Sequence, residues 1–296
     1  MRPLYITGPT GSGKSSIAAA LAKRIGGEVV NADAYQLYRN LDIVSASPGR
    51  ELFRLAPHHL YGILEVADDC NAARFAQLAG PAIDSIIARG KRPVVVGGSG
   101  LYMKSLTHGL DDLPGADRQL RKELADLSLD QLVERLRQLD PESASSLDLL
   151  NRRYVTRAVE ISMLSGRPMS EIKTGWKNNV PEIDGVIITR ERNELYSRIN
   201  TRVRGMIDEG LVEEIRKLPV TLSSTAAKAI GIRETRAYIA GKITLEQCIE
   251  AISQASRRYA KRQLTWFKRE QGFQMVCLEE GQDTDSAMKQ ILCLYP

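Results

Sequence analysis

Cysteine and histidine are scarce and badly placed for metal or disulfide chemistry. Cys70, Cys248, Cys277 and Cys293 lie far apart, no C-x-x-C pair occurs, and His58, His59 and His108 are the only imidazoles in 296 residues. A disulfide framework and a structural zinc site are therefore excluded as organising principles. No apolar run approaches the length that spans a bilayer, so a membrane role is not expected. Nor is a secretory leader, because a glycine-rich motif begins at Gly8 and leaves no room ahead of it; a cytoplasmic location is the expectation. Internal repeats and low-complexity segments are absent as well.

What is present suits a large core. With 43% hydrophobic residues the chain can form one large domain carrying an insertion, or two domains. The net charge of +5 is a mild basic excess, and its distribution says more than its size. Arg257, Arg258, Lys261, Arg262, Lys268 and Arg269 fall in one acid-free stretch, interleaved with Tyr259, Trp266 and Phe267. Solvated helix faces usually mix signs, so this stretch points to a polyanionic partner.

The organising motif is Gly8-Pro-Thr-Gly-Ser-Gly-Lys14-Ser15. It follows the apolar run Leu4–Thr7 and precedes an Ala- and Leu-spaced helix, which is the strand, glycine turn and helix of a P-loop. In such a loop backbone N–H groups converge on phosphate at the positive end of a helix. Gly8, Thr10, Gly11, Ser12 and Gly13 would line it, Lys14 would neutralise phosphate oxygens, and the Ser15 hydroxyl would ligate Mg²⁺. Nucleotide-binding and ATP-binding proteins share the motif, so the phosphate compound stays open at this point.

The expected fold class is α/β, a P-loop NTPase-like parallel sheet flanked by helices. A second strand, Gly27–Asn31, should deliver Asp33 beside the glycine loop, because ligands bind beyond the carboxyl ends of parallel strands. There Asp33 would take a proton or bind metal through water. Residues 41–57 read as loop and short helix, and Asn71 caps a helix running to about Arg89. The buried strand Pro93–Gly97 leads into a second glycine turn carrying Ser99, where an ATPase would often place an acidic residue. Residues 113–180 read as a helical insertion between core segments 1–112 and 181–296, with a capping box from Ser128 to Gln131. A strand at 185–189 precedes a helix from Glu194 to Glu209 on which Arg198 and Arg202, spaced i, i+4, share a face and could reach the phosphates. Helices around 211–218, 226–240 and 245–269 and a last strand at 274–278 complete the expectation.

These stretches together resemble the tRNA dimethylallyltransferase family, also called tRNA isopentenyltransferases. The matching motifs are GPTGSGKS at 8–15, NADAYQLYRNLDI at 31–43, PHHL at 57–60, VVVGGSGLYMK at 94–104, RINTRVRGMIDEGLVEE at 198–214, AKAIGIRE at 227–234 and YAKRQLTWFKR at 259–269. The resemblance implies transfer of a dimethylallyl group from dimethylallyl diphosphate to N6 of the adenosine 3′ of the anticodon. The loop would then hold a diphosphate leaving group, and no acidic strand end is missed. Asp33 matches the family's general base, and Ser99 stands where the family usually has Thr. Arg202 and Arg198 would bind diphosphate. For contact with the anticodon stem-loop the resemblance carries over Asp33, Ala34, Tyr35, Gln36, Ser99, Arg121, Arg153, Tyr154, Val155, Thr156, Arg157, Lys228, Arg233, Lys261, Arg262 and Gln263. Mg²⁺ is the implied cofactor, and a monomer is expected. The chain departs from the family pattern at Ala34, Ser47, Tyr61-Gly62 and Ile232, and keeps the base, the lysine and the metal hydroxyl. The competing expectations are an isopentenyltransferase of free adenine nucleotide and a P-loop small-molecule kinase.

Overall fold

The computed structural model describes residues 1–111, 113–173 and 182–296. Strands β1 (Leu4–Thr7), β2 (Glu28–Asn31), β3 (His58–His59), β4 (Pro93–Gly97), β5 (Asp184–Arg190) and β6 (Gln274–Leu278) form one sheet in the order β3-β2-β4-β1-β5-β6. Every pairing is parallel. β1 lies between β4 and β5, with Thr7 beside Gly97 and Ile187. The sequence of β1 and β4 is continuously apolar because both faces are covered. Successive side chains point to opposite faces. Accordingly Leu4, Ile6, Val94 and Val96 pack with Ile17 and Leu21 of the Lys14–Ile25 helix and Ile291 of the Thr284–Leu294 helix. Tyr5 and Val95 point the other way, into a core with Phe75, Met103, Val203 and Ile252.

The chain divides into two compact units, 1–107 with 181–296, and 108–180. The expected boundary at 112/113 lies a few residues after that division. Within the second unit the helices Arg118–Ala125, Leu129–Leu139 and Arg152–Ser165 bury Leu120, Leu124, Leu132, Leu136, Val155 and Val159 in a core of their own. The capping box is formed as expected: the Ser128 hydroxyl accepts from the Gln131 N–H, and the Gln131 side chain accepts from the Ser128 N–H. The Thr284–Leu294 helix has no counterpart in the sequence-based expectation, and the expected helix at 226–240 is a 3₁₀ turn, Ala226–Lys228, followed by a helix at Ile232–Ile239. No helix among the described residues is long and apolar enough to cross a membrane.

One buried charge stands out away from the site. Glu28, 3% exposed, accepts from His59 Nε2 (2.7 Å), Arg89 (2.6 Å) and Lys91 Nζ (2.8 Å). Burial pushes its carboxyl up, but the Lys91, His59 and Arg89 hydrogen bonds together outweigh that and leave a pKa of about 2. The contribution to stability is therefore present above the ordinary carboxylate range and is lost as pH falls towards 2. Glu28→Ala is expected to cost about 2–3 kcal/mol, below the ~3–5 kcal/mol of a fully buried pair because Arg89 and Lys91 keep solvent access. Urea denaturation at pH 7 and pH 3 checks this: the gap between native and variant protein should narrow at the lower pH.

Candidate active site at the glycine loop

β1 ends at Thr7, and the chain turns through Gly8–Gly13 into the Lys14–Ile25 helix. Gly13 adopts φ 92° immediately before the helix, a conformation that side chains rarely take. The first helical N–H groups have no intrahelical acceptor and lie at the positive end of the dipole. Ser15 lies in the first helical turn and, with Lys14, lines a cavity of about 540 Å³. Its other walls are the 42–49 loop and the Arg192–Asp208 helix.

Three arginines surround the loop. Arg190, at the end of β5, donates Nε to the Ser12 carbonyl (3.1 Å) and pairs with Glu194. Arg198 donates to the Gly11 carbonyl (2.9 Å), and Arg202 donates to the Thr10 hydroxyl (2.5 Å). The i, i+4 pair thus reaches the loop as its spacing suggested. Arg190 was not singled out, since its contact with the loop is to a backbone carbonyl remote in sequence. Burial lowers the Lys14 pKa to about 8, with Asp33 pulling it up and Arg202 pushing it down. Arg202 is likewise lowered, by burial first, against the pull of Asp33. Two buried groups here, Ser12 Oγ and Arg202 Nε, make no hydrogen bond. Buried polar atoms are nearly always paired. Arg202, with its unpaired donor, lines the same cavity as a lysine at a helix N-terminus, and together they define a place for an anion.

Asp33 follows β2 and lines an adjacent cavity with Thr10, Arg202 and a largely apolar wall of Val44, Val203, Met206, Ile230 and Ile252. Arg202, Ala46 and Met206 line both cavities. The Asp33 N–H donates to Asn31 Oδ1 (2.8 Å), while Asp33 Oδ1 accepts from the Tyr35 N–H (3.1 Å). The carboxylate is held by one oxygen. Across from it the Ala34 N–H donates to Ser99 Oγ (3.0 Å), so the two turns after β2 and β4 are joined, and the Ser99 hydroxyl also meets the Tyr259 phenol. Tyr259 is raised by burial and then by the charges of Asp33 and Tyr35, which places its phenol in the same cluster.

The residues expected at an RNA surface divide clearly. Arg153, Tyr154, Lys228, Arg233, Lys261 and Arg262 are exposed, and Arg262 lies over the Tyr259 ring at 5.7 Å. Tyr35 and Thr156 are half-buried. Val155 is fully buried in the core of its unit, which corrects the expectation that its side chain meets RNA. Arg121 and Arg157 are committed to Glu160: Arg121 donates twice (2.8 and 3.0 Å) and Arg157 once (2.7 Å), because a carboxylate that is 0% exposed needs compensation. Gln36 is buried and spends its amide N–H groups on the carbonyls of Ser45 and Ala46, two residues that line the Asp33 cavity. Gln263 is also buried, with both ends of its amide engaged inside the protein.

Fold and site define an α/β protein whose parallel sheet carries, at its carboxyl edge, an arginine-ringed anion loop beside a carboxylate and an apolar pocket. The IPP transferase family profile matches residues 36–270, and an isopentenyl transferase profile matches residues 1–56. The tRNA dimethylallyltransferase 1 of Citrifermentans bemidjiense is 42% identical over 275 residues, covering 91% of this chain and 90% of that protein. The tRNA dimethylallyltransferase of Geobacter metallireducens is 41% identical, covering 99% and 97%. Among solved structures, the full-length tRNA isopentenylpyrophosphate transferase of Bacillus halodurans superposes with a TM-score of 0.71 at 34% identity, covering 99% of this chain and 95% of that one. A eukaryotic dimethylallyltransferase acting on tRNA gives a TM-score of 0.83 at 26% identity, covering 98% and 77%. The chain belongs to the IPP transferase family.

Proposed function

We propose that this protein transfers a dimethylallyl group from dimethylallyl diphosphate to N6 of the adenosine 3′-adjacent to the tRNA anticodon, releasing diphosphate. The observation that carries the reading is the orphaned, buried Nε of Arg202, a side chain that lines both the anion cavity of Lys14 and the apolar cavity of Asp33. A diphosphate ester with a short apolar tail has the matching shape: charge on one side of Arg202, hydrocarbon on the other.

In the transfer, the bond from the allylic carbon to the diphosphate oxygen breaks with its electron pair on oxygen, and a bond from N6 to that carbon forms. Negative charge grows on the leaving oxygens, where Lys14, Arg202, Arg198 and the loop N–H groups stabilise it. The N6 lone pair is conjugated into the purine, so the amine attacks well only as its proton leaves. Asp33, held by one oxygen, receives that proton on the other. Ser99 donates to the acceptor base or to the leaving group. Mg²⁺ fits the donors present: the Ser15 hydroxyl lines the anion cavity, and among the described residues no group of three or more His, Cys, Asp or Glu could hold a metal. Such an ion would take its remaining ligands from diphosphate and water, the usual Mg²⁺ arrangement, and would add charge neutralisation for the leaving group.

The tRNA must present an unstacked base, as base-modifying enzymes require. Exposed Lys261, Arg262, Lys228 and Arg233, with Arg153 and Tyr154 on the insertion, supply phosphate contacts that position the loop. A monomer acting in the cytoplasm completes the proposal. Replacing Lys261 and Arg262 together by alanine is expected to weaken tRNA binding and lower its log–log salt slope by about 2, measured by filter binding across a salt series. The reading itself is tested by transfer of labelled dimethylallyl to tRNA lacking the modification. Label on AMP alone would make this a free-nucleotide enzyme, and ATP consumption without transfer would make it a kinase.

A further inference from the structure

The sequence of the basic helix Leu245–Phe267 suggests a grip on RNA along its whole length, but one residue in its most basic stretch faces the other way. Gln263 is 5% exposed. Its Oε1 accepts from the Thr10 N–H at 2.8 Å, and its Nε2 donates to the Gly98 carbonyl at 2.8 Å. Thr10 belongs to the anion loop; Gly98 belongs to the second glycine turn, which carries Ser99. A carboxamide offers an acceptor to the first and a donor to the second at once, on two separate atoms.

The contact is built closely. A Cβ on Gly98 would lie 2.2 Å from Gln263 Nε2, and a Cβ on Gly100 would lie 2.3 Å from the Trp266 indole nitrogen. One rung further, Glu270 pairs with Lys104 at 3.0 Å. Residues 263 and 266 share a side of the helix at i, i+3, and Glu270 follows just past its end at Phe267. The helix is thus fastened along the turn, and both glycines are required by the approach of these side chains. Beyond Thr10 the chain of contacts continues, since its hydroxyl accepts from Arg202, whose Nε is one of the orphaned donors.

We infer that Gln263 is a positioning residue for the diphosphate: by fixing the Thr10 peptide it fixes the acceptor that aims Arg202, and it ties this geometry to the helix whose outer face carries Lys261 and Arg262. This rests on the diphosphate reading above. Gln263 touches neither substrate. Its amide orients a loop peptide that would otherwise shift, and a buried peptide N–H would be left without an acceptor.

The test uses the full chain and inorganic diphosphate as the probe, by calorimetric titration without tRNA, beside filter binding of tRNA. Gln263→Met keeps an unbranched side chain of similar length and removes both hydrogen bonds; Gln263→Ala is the harsher companion. Gln263→Met is expected to weaken diphosphate binding about ten-fold, the loss of roughly one buried hydrogen bond, while tRNA affinity stays within about two-fold. With Arg202→Lys already in place, Gln263→Met should cost clearly less than it does alone, because the two act through one contact. Unchanged diphosphate affinity in Gln263→Met, a loss that falls on tRNA instead, or full additivity with Arg202→Lys would each overturn the inference. Failure of the native chain to bind diphosphate at all would overturn the functional reading and this inference with it, whereas native binding that Gln263→Met leaves intact overturns the inference alone.

Discussion

Asp33→Ala is expected to lower single-turnover dimethylallyl transfer by about 10²–10⁴-fold, the range for loss of a positioned general base. The argument is geometric. Asp33 lines the apolar cavity that shares Arg202 with the anion cavity, and its Oδ1 is occupied by the Tyr35 N–H, so proton uptake falls to the other oxygen. The substitution removes a carboxylate at the reacting end of the site and leaves Lys261, Arg262, Lys228 and Arg233 in place. Equilibrium tRNA binding should therefore change little. Rapid-quench measurement with enzyme in excess separates the chemical step from binding, and an unchanged rate there would rule out the general-base role. Asp33→Asn sharpens the result, because it keeps the size and the Tyr35 contact while losing the capacity to take a proton.

Lys14→Met is expected to reduce transfer by about 10²–10³-fold, comparable to removing one preorganised donor from a site of developing negative charge. Lys14 also predicts a pH dependence. Burial holds its folded-state pKa at about 8, well below the ordinary 10.5. Diphosphate is bound by the protonated amine, so affinity is retained below pH 8 and falls as pH rises through it, by about ten-fold per unit. In the unliganded protein the same depression works the other way: the buried charge costs stability at and below pH 8, and that cost is relieved between about 8 and 10.5. Titration of dimethylallyl diphosphate binding from pH 6.5 to 9.5 should show the loss in the native protein, and the profile should flatten in Lys14→Met. A native profile with no decline above pH 8 would contradict the assignment.

Much of this was legible in the chain. The apolar runs at β1 and β4 announce strands covered on both faces, and the glycine loop between β1 and its helix is a local motif needing no distant partner. The i, i+4 spacing of Arg198 and Arg202 places them on one face of a helix wherever the helix goes. Asn71 and Ser128 cap their helices as local chemistry requires, and Asn71 accepts from the Arg74 N–H at 2.9 Å. Partners remote in sequence were not legible. Nothing near Arg121 or Arg157 indicates that both will turn to Glu160, because that depends on Glu160 being sealed in the core of the helical unit. Arg121 and Arg157 thus serve that buried carboxylate as counter-ions while their side chains stay 51% and 33% exposed. The Ala34 departure is absorbed through its backbone, whose N–H reaches Ser99 whatever the side chain.

The sequence by itself determined the class of sheet, the anion loop, the candidate base and the two arginines, because periodicity, glycine placement and short spacings act through neighbours along the chain. Only the tertiary structure decided which basic and polar residues face outward and which hold the site together. That is settled by burial. A side chain such as Gln263, lying between Lys261 and Arg262 on one side and Trp266 on the other, acquires its role when the turn at Gly98 and the loop at Thr10 close on it from residues far away in the sequence.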